Sequence, residues 1–130
     1  MNKNGVVGSG EPGLKDGGYA NCQFNFPTGM DYCPDTKQLF VCDSFNHCIR
    51  VVDMQSCQVK TLVGTGHKGT SIKGGKLGSQ QDIAMPSDVV FCKQENKLFI
   101  AMAKLHQIWS YDFTVRMLLL PPMTQTVMHC

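Results

Sequence analysis

The sequence predicts an all-β protein built from two tandem copies of one four-stranded unit. Residues 27–53 and 86–112 align without gaps at a single constant offset, and self-similarity at a fixed period is typical of repeat proteins. Their short apolar runs are rich in β-branched and aromatic residues, which favours strands. No apolar stripe at helical spacing persists along the chain, so little helix is expected. The identical positions are Pro27/Pro86, Cys33/Cys92, Leu39/Leu98, Phe40/Phe99, His47/His106, Ile49/Ile108 and Asp53/Asp112.

The first copy contains four predicted strands, and the second copy repeats the pattern. Four short antiparallel strands in tandem are more typical of a β-propeller blade than of a sandwich or a solenoid. We therefore expect a partial β-propeller of about two four-stranded antiparallel blades, one over about 24–64 and one over about 83–120. The predicted strands are 29–33, 39–43, 48–53 and 59–64 in the first copy, and 88–92, 97–102 and 107–112 in the second.

A glycine-rich connector precedes each copy. All 13 glycines lie at or before Gly78, and the run at 8–13 returns at 64–69. The second glycine run lies closer to the first run than the second copy lies to the first copy. This difference predicts a three-residue insertion between the second run and Pro86. Such segments supply the positive φ angles that lead the chain from one blade into the next.

The end of the sequence departs from the repeat. No third glycine connector follows Asp112, and the adjacent Pro121 and Pro122 cannot donate to a sheet ladder. We expect residues 1–112 to form the propeller fragment and residues 113–130 to be a divergent, poorly ordered tail.

Three segments of the first copy resemble the NHL repeat. FNFPTGMDY (24–32) resembles its Pro-Gly start, LFVCDSFNHCIRVVD (39–53) its central strand pair, and TLVGTGHKG (61–69) its glycine connector. In the second copy, the strings IAMA and HQIW resemble a subgroup of NHL proteins that joins a thioredoxin-like domain to a six-bladed propeller. The resemblance covers about residues 8–112 and implies an NHL-type β-propeller.

The resemblance is confined to the propeller part of that subgroup. The chain has the length of about two blades and contains no CxxC pair, so the thioredoxin-like domain and its thiol chemistry are not expected. Stable stacking needs three or more repeats. We therefore expect a partial or truncated family member whose open blade edges self-associate.

Composition predicts a cytoplasmic protein without a membrane segment. The first residues do not resemble a secretory signal, and no apolar stretch approaches the roughly 18 residues of a membrane span. The seven cysteines have spacings that fit no zinc site, and a disulfide framework is not expected without a secretory signal. A net charge of +2 is too small to imply a nucleic-acid partner. We expect neither a metal nor a cofactor.

The turn between the second and third strands carries the repeat signature. It contains Asp43, Asn46 and His47, and His106 occupies the matching place in the second copy. Aligned histidines could act as metal ligands in a propeller channel. They lie away from the inner strand that faces the channel, however, so a hydrogen-bonded turn role is favoured. Asp43 and Asn46 bracket the turn and suit side-chain to backbone hydrogen bonds.

Lys68, Lys73 and Lys76 make the second connector basic and form a candidate binding surface. Some NHL propellers bind single-stranded RNA through a basic face, so an RNA-binding module is an alternative. No aromatic residue is interleaved with the lysines between residues 60 and 76, and ordinary solvated lysines are favoured.

These observations favour a non-enzymatic scaffold whose loops bind a protein partner. A propeller hydrolase or lyase is the enzymatic alternative, and it needs inward-pointing carboxylates or histidines at equivalent positions of several blades. The inner strands offer only Asp31 and Asp88, which are two positions out of register. The sequence therefore predicts no catalytic residues, and it does not identify the partner.

Overall fold

A computed structural model describes residues 5–119 of the 130-residue chain. These residues form two antiparallel sheets with short 3-10 turns at Ser44–Asn46, Gly78–Gln80 and Ala103–Leu105. They contain no α-helix, and none of their helical turns is long and apolar enough to cross a bilayer. The all-β prediction is therefore confirmed. The strands are β1 (Gly17–Gly18), β2 (Pro27–Cys33), β3 (Gln38–Asp43), β4 (Cys48–Asp53), β5 (Gln58–Val63), β6 (Pro86–Cys92), β7 (Lys97–Met102), β8 (Gln107–Asp112) and β9 (Met117–Leu119).

Each sheet is one propeller blade. The strand order is β2-β3-β4-β5-β1 in blade 1 and β6-β7-β8-β9 in blade 2. The first strands of the two blades, β2 and β6, contact each other, so they are the inner strands, and the outer ends of the sheets lie at β5 and β9. The predicted pair of antiparallel blades is present, and blade 1 gains a two-residue strand, β1, from its connector.

The outer strand of blade 2 lies inside the segment that was expected to be a divergent tail. Leu118 in β9 pairs with Tyr111 in β8 and is fully buried, whereas its neighbour Leu119 is exposed. This alternation is the strand pattern that anchors one face in a core. Blade 2 thus continues past residue 112, and residues 120–130, which complete the predicted tail, lie outside the described residues.

The repeat extends to the backbone conformation. A non-glycine residue adopts a positive φ only where the surrounding structure requires it, and eight such residues occur between residues 5 and 119. They fall into four pairs with the same offset as the sequence repeat, so the two blades share their turn geometry as well as their strands. The pairs are Phe26/Met85, Lys37/Asn96, His47/His106 and Cys57/Arg116.

The connectors repeat with the predicted insertion. The N–H of Gly8 donates to the carbonyl of Tyr19, and that of Gly64 donates to the carbonyl of Gly78, both at 2.8 Å. The acceptors Tyr19 and Gly78 are separated by the offset of the repeat, whereas the donors Gly8 and Gly64 are three residues closer together than that. The three additional residues therefore lie between Gly64 and Gly78. Each connector then pairs with the outer strand of the blade that follows it.

The main core lies between the blades. In β7, the alternate residues Leu98, Ile100 and Met102 are fully buried and belong to the cluster that also contains Phe40 of β3. The neighbouring Val41 is buried on the other side of blade 1, against the first connector. Blade 1 is therefore partly covered on both faces, whereas blade 2 has one face open to solvent.

Polar contacts fix the blades at their inner strands. The Ser44 hydroxyl donates to the Pro86 carbonyl at 2.6 Å, and the carboxylate of Asp31 accepts from the N–H of Phe91 at 2.8 Å. The strands approach closely at Gly29, where an added Cβ would come within 2.7 Å of backbone atoms of β6. Only glycine leaves room for this approach.

Candidate functional site

The turn between the second and third strands has the same geometry in both blades. His47 and His106 each follow a 3-10 turn and adopt the left-handed conformation, with φ of 52° and 56°. The N–H of each histidine donates to a carbonyl three residues earlier, Ser44 in blade 1 and Ala103 in blade 2. The structure therefore places both signature histidines at the end of a turn.

The other two signature residues hold the first connector in place. Asp43 Oδ1 accepts from the N–H of Asn25 at 2.7 Å, and Asp43 Oδ2 accepts from Asn46 Nδ2 at 2.8 Å. Asn46 Nδ2 also donates to the carbonyl of Gly13 at 2.8 Å. Both side chains thus bond to backbone groups of the connector, and Asp43 makes no capping bond to its own 3-10 turn.

Arg50 completes this arrangement and was not identified from the sequence as a site residue. Its side chain is fully buried, and its guanidinium donates to Asp43 Oδ2 at 2.8 Å and to Asp16 Oδ1 at 2.9 Å. It also donates to the carbonyls of Gln23 and Lys15. A buried charge persists only when it is paired and hydrogen-bonded. We call Asp16, Asp43, Asn46 and Arg50 the connector clip.

Blade 2 fills the same positions with apolar side chains. Met102, Leu105 and Trp109 stand where blade 1 has Asp43, Asn46 and Arg50. Met102 and Trp109 are fully buried in the core between the blades. The clip is therefore a structural device of one blade. The sequence did contain a signal for it, since an arginine interrupts the apolar strand CIRVVD.

His47 joins blade 1 to the second connector. Its Nδ1 accepts from the N–H of Met85 at 3.0 Å, which requires an unprotonated Nδ1. Burial lowers the pKa of His47, and the positive charge of Lys68 lowers it further. The ring is therefore neutral at pH 7 and holds the connector through this bond.

Two exposed aromatic side chains stack on each other, one just before β2 and one in the turn that precedes His47. The rings of Phe26 and Phe45 lie 4.7 Å apart with an interplanar angle of 12°, although 61% of Phe26 and 48% of Phe45 is exposed. Blade 2 has Met85 and Lys104 at these positions, so the blade fold does not require aromatic residues there. We call Phe26, Phe45, His47, Lys68 and Met85 the turn surface.

The three candidate lysines occupy different surroundings. Lys68 belongs to the turn surface and pairs with Ile83 in a short bridge. Lys73 and Lys76 flank the glycine pair of the second connector, and the carbonyl of Lys76 accepts from the N–H of Leu118 in the outer strand of blade 2. All three side chains are exposed. Of the three, Lys68 is the one whose charge acts on His47.

The carboxylates of the inner strands bond to backbone groups. Besides its bond to Phe91 across the blades, Asp31 accepts from the N–H of Tyr32 at 3.1 Å, and Asp88 accepts from the N–H of Val89 at 2.9 Å. Within residues 5–119, no three His, Cys, Asp or Glu side chains are grouped so that they could hold a metal ion. Asp31 therefore has a structural role in joining the inner strands.

Comparison with solved structures identifies the fold. An auxiliary nutrient binding protein from Bacteroides ovatus aligns over 77% of this chain and 26% of its own, with a TM-score of 0.67 and 20% identity. A putative phosphatase from Bacteroides thetaiotaomicron aligns over 92% of this chain and 26% of its own, with a TM-score of 0.66 and 19% identity. At these identities the likeness concerns the fold alone.

Comparison of sequences identifies the repeat. The NHL repeat family matches residues 24–52. The Arabidopsis thaliana protein SUPPRESSOR OF QUENCHING 1, chloroplastic, is 42% identical over 107 residues, which are 82% of this chain and 10% of that protein. The Homo sapiens NHL repeat-containing protein 2 is 39% identical over 110 residues, which are 80% of this chain and 15% of that protein. The chain thus spans 10–15% of the length of these relatives. It carries an NHL repeat, in a two-bladed β-propeller segment similar to part of NHL repeat-containing protein 2.

Proposed function

We propose that the two blades are a non-enzymatic scaffold that presents the turn surface to a protein partner. The observation that carries this proposal is the exposed stack of Phe26 and Phe45. Exposed aromatic residues are enriched among the residues that dominate binding energy at protein interfaces. The fold does not account for this pair, because the other blade does without it.

The turn surface is held rigidly before any partner binds. The N–H of Phe45 donates to the carbonyl of Asn25 at 3.1 Å, which ties the turn to the residue before Phe26. Asn25 is itself bonded to Asp43 of the connector clip, and His47 fixes Met85 on the opposite side. A preorganised surface loses less conformational entropy on binding, which favours affinity.

The inner strands support the non-enzymatic interpretation. A hydrolase or lyase that used a central metal would need several free carboxylates or histidines on these strands. Asp31 instead accepts hydrogen bonds from two backbone N–H groups, and Asp88 is two positions out of register with it. The matching NHL repeat is a structural unit that by itself implies no chemistry.

Binding of single-stranded RNA is the second candidate function. The observation that favours it is the placement of Lys68 beside the histidine of the same surface that carries the aromatic pair. Bases stack on aromatic rings and phosphates bind lysine. In the described residues, however, Phe26 and Phe45 cover part of each other, and Lys73 and Lys76 lie along the second connector, flanking its glycine pair. A protein partner therefore fits the surface better.

The test is site-specific photo-crosslinking followed by affinity measurement. Benzoylphenylalanine is placed at Phe45 or, as a control, at Val115, which is also exposed but lies in the turn before β9. A protein crosslinked at position 45 is purified and titrated against the wild-type chain, Phe45→Ser and Val115→Ser. We expect Phe45→Ser to weaken binding by about tenfold or more, with Val115→Ser within about twofold of wild type.

Two outcomes would overturn the proposal. One is a partner that binds wild type and Phe45→Ser equally. The other is a chain that crosslinks only to RNA and binds an unstructured oligouridine with Phe45-dependent affinity, which would assign the surface to RNA. Circular dichroism melts of both variants check that loss of binding does not reflect loss of fold.

A further inference from the structure

Two pairs of equivalent residues differ sharply in exposure, because the other blade covers one member of each pair. Ile49 of blade 1 is fully buried against blade 2, whereas its counterpart Ile108 is 52% exposed. Val89 of blade 2 is 1% exposed against blade 1, whereas its counterpart Met30 is 64% exposed. The interface between the two blades therefore shows which kind of surface packs against each of the two uncovered sides.

Each blade has one apolar side that the other blade does not cover, and on blade 1 this side is partly covered by the first connector. We call the side of blade 2 that does not contact blade 1 the trailing face. The side of blade 1 that does not contact blade 2 is the leading face. The trailing face surrounds a depression of about 160 Å³, and the leading face surrounds a groove of about 300 Å³. The trailing face contains Val90, Phe99, Ala101 and Ile108. The leading face contains Met30 and Leu39, together with Val41 and Val52, which are already buried against the first connector.

The trailing face repeats the surface with which blade 1 packs against blade 2. Its Phe99, Ala101 and Ile108 correspond to Phe40, Cys42 and Ile49, all of which are buried in the core between the blades. An aromatic, a small and a branched side chain thus follow one another in the same order on both surfaces.

The leading face repeats the surface with which blade 2 packs against blade 1. Leu39 and Val41 correspond to Leu98 and Ile100, which are fully buried in that core. The two open faces are therefore complementary in the same way as the two surfaces that already meet inside the chain.

We infer that a second copy of this chain docks head to tail, with the trailing face of one copy on the leading face of the next. The arrangement reproduces the packing of blade 2 on blade 1. It goes beyond the proposed function, because it concerns the sides of the blades and its test substitutes neither Phe26 nor Phe45.

A preformed polar joint supports this geometry. Inside the chain, His47 Nδ1 accepts from the N–H of Met85 at 3.0 Å. The counterparts of these residues are His106 and Phe26, which have the same left-handed backbone. In the part of the chain that the structure describes, neither the ring of His106 nor the N–H of Phe26 has a hydrogen-bond partner. Head-to-tail docking would bring the two groups together.

The contact between copies should be weaker than the internal one. Ser44 and Asp31 bond across the internal interface, and their counterparts on the trailing face are Ala103 and Val90, which cannot replace those bonds. The association is also heterologous, so the number of copies grows with concentration unless the ring closes. We therefore expect a concentration-dependent assembly instead of a permanent dimer.

The experiment is light scattering on the full chain at protein concentrations of about 5 to 200 μM, a range that covers weak association. Ile108→Arg places a charge on the trailing face, and Met30→Arg places one on the leading face. Val115→Arg is the matched control, because Val115 is 49% exposed and lies on neither face. We expect the wild type and Val115→Arg to assemble, and each of the other two variants alone to remain monomeric.

Mixing the two monomeric variants distinguishes head-to-tail docking from other modes. Ile108→Arg keeps an intact leading face and Met30→Arg keeps an intact trailing face, so an equimolar mixture should form a one-to-one dimer that grows no further. A mixture that stays monomeric, or a wild type that is monomeric throughout the range, would overturn the inference. Assembly of Met30→Arg alone would instead indicate symmetric contact through the trailing face, and would overturn it equally. Far-UV circular dichroism verifies the fold of each variant.

Discussion

Replacing Arg50 with methionine tests whether the connector clip stabilises blade 1. Methionine keeps much of the length of the side chain but removes the guanidinium. Asp43, whose side chain is fully buried, then loses its cation and retains only the N–H of Asn25 and the amide of Asn46. An uncompensated buried charge costs about 3–5 kcal/mol. The free energy of unfolding should therefore fall by that amount.

A second substitution separates the charge from the packing. Asp43→Asn has nearly the same shape as the native residue and carries no charge, so removal of Arg50 should cost less in that background. We expect a coupling energy between the two positions of about 1–3 kcal/mol, the range found for contacting residues in one network. Lys60→Met also replaces a cationic side chain with methionine, but at an exposed position of β5. It should alter stability by less than about 0.5 kcal/mol.

Urea unfolding gives these free energies from two signals. Trp109 is the only tryptophan in the chain and is fully buried in blade 2, so its fluorescence reports the core between the blades, and far-UV circular dichroism reports the sheets. The reasoning is wrong if Arg50→Met costs less than about 1 kcal/mol, or if its cost is the same with aspartate and with asparagine at position 43.

Three further predictions concern His47, Gly29 and two buried cysteines of blade 1. Because burial holds the pKa of His47 below its ordinary value, the stability it contributes is complete above about pH 6.5 and is lost as the pH falls through the lowered pKa; the advantage of wild type over His47→Gln in urea midpoint should therefore shrink on acidification. Gly29→Ala should destabilise the chain by about 1–3 kcal/mol, since its Cβ would meet the backbone of β6, whereas Gly18→Ala, with no atom nearer than 3.8 Å, should not. Burial raises the pKa of Cys42 and of Cys48 to about 12, so a thiol reagent at about pH 8 should label them only after unfolding; rapid labelling of the native chain would contradict the buried positions.

The sequence carried enough information for the strands and for the tandem arrangement of the blades. Runs such as 48–53 and 97–102 are apolar, β-branched and bounded by turn residues, and the structure has strands with these limits. The constant offset between the copies then required the second copy to fold like the first. Local patterns succeeded here because strand formation and burial were encoded in the same residues.

Features that depend on contacts between distant segments could not be predicted in this way. β1 consists of Gly17 and Gly18, which have no strand propensity and form a strand only because they pair with β5. Arg50 lies in a strand and is buried because the first connector covers it, which its position in the strand does not indicate. The stack of Phe26 and Phe45 likewise needs the turn and the connector to meet, so no periodicity could indicate it.

The two blades attach their connectors with different side chains. This contrast distinguishes the positions that the fold requires from those that it does not. Blade 1 holds its connector with a buried ionic cluster, whereas blade 2 buries Met102 and Trp109 at the same positions. Either solution supports a blade, so the repeat signature describes how a connector is attached and says little about binding. The positions that bear on function are those where the copies differ without any structural need. Phe45, exposed in mid-turn and matched by Lys104 in the other blade, differs in this way, and it is therefore the position at which the proposed protein binding is tested.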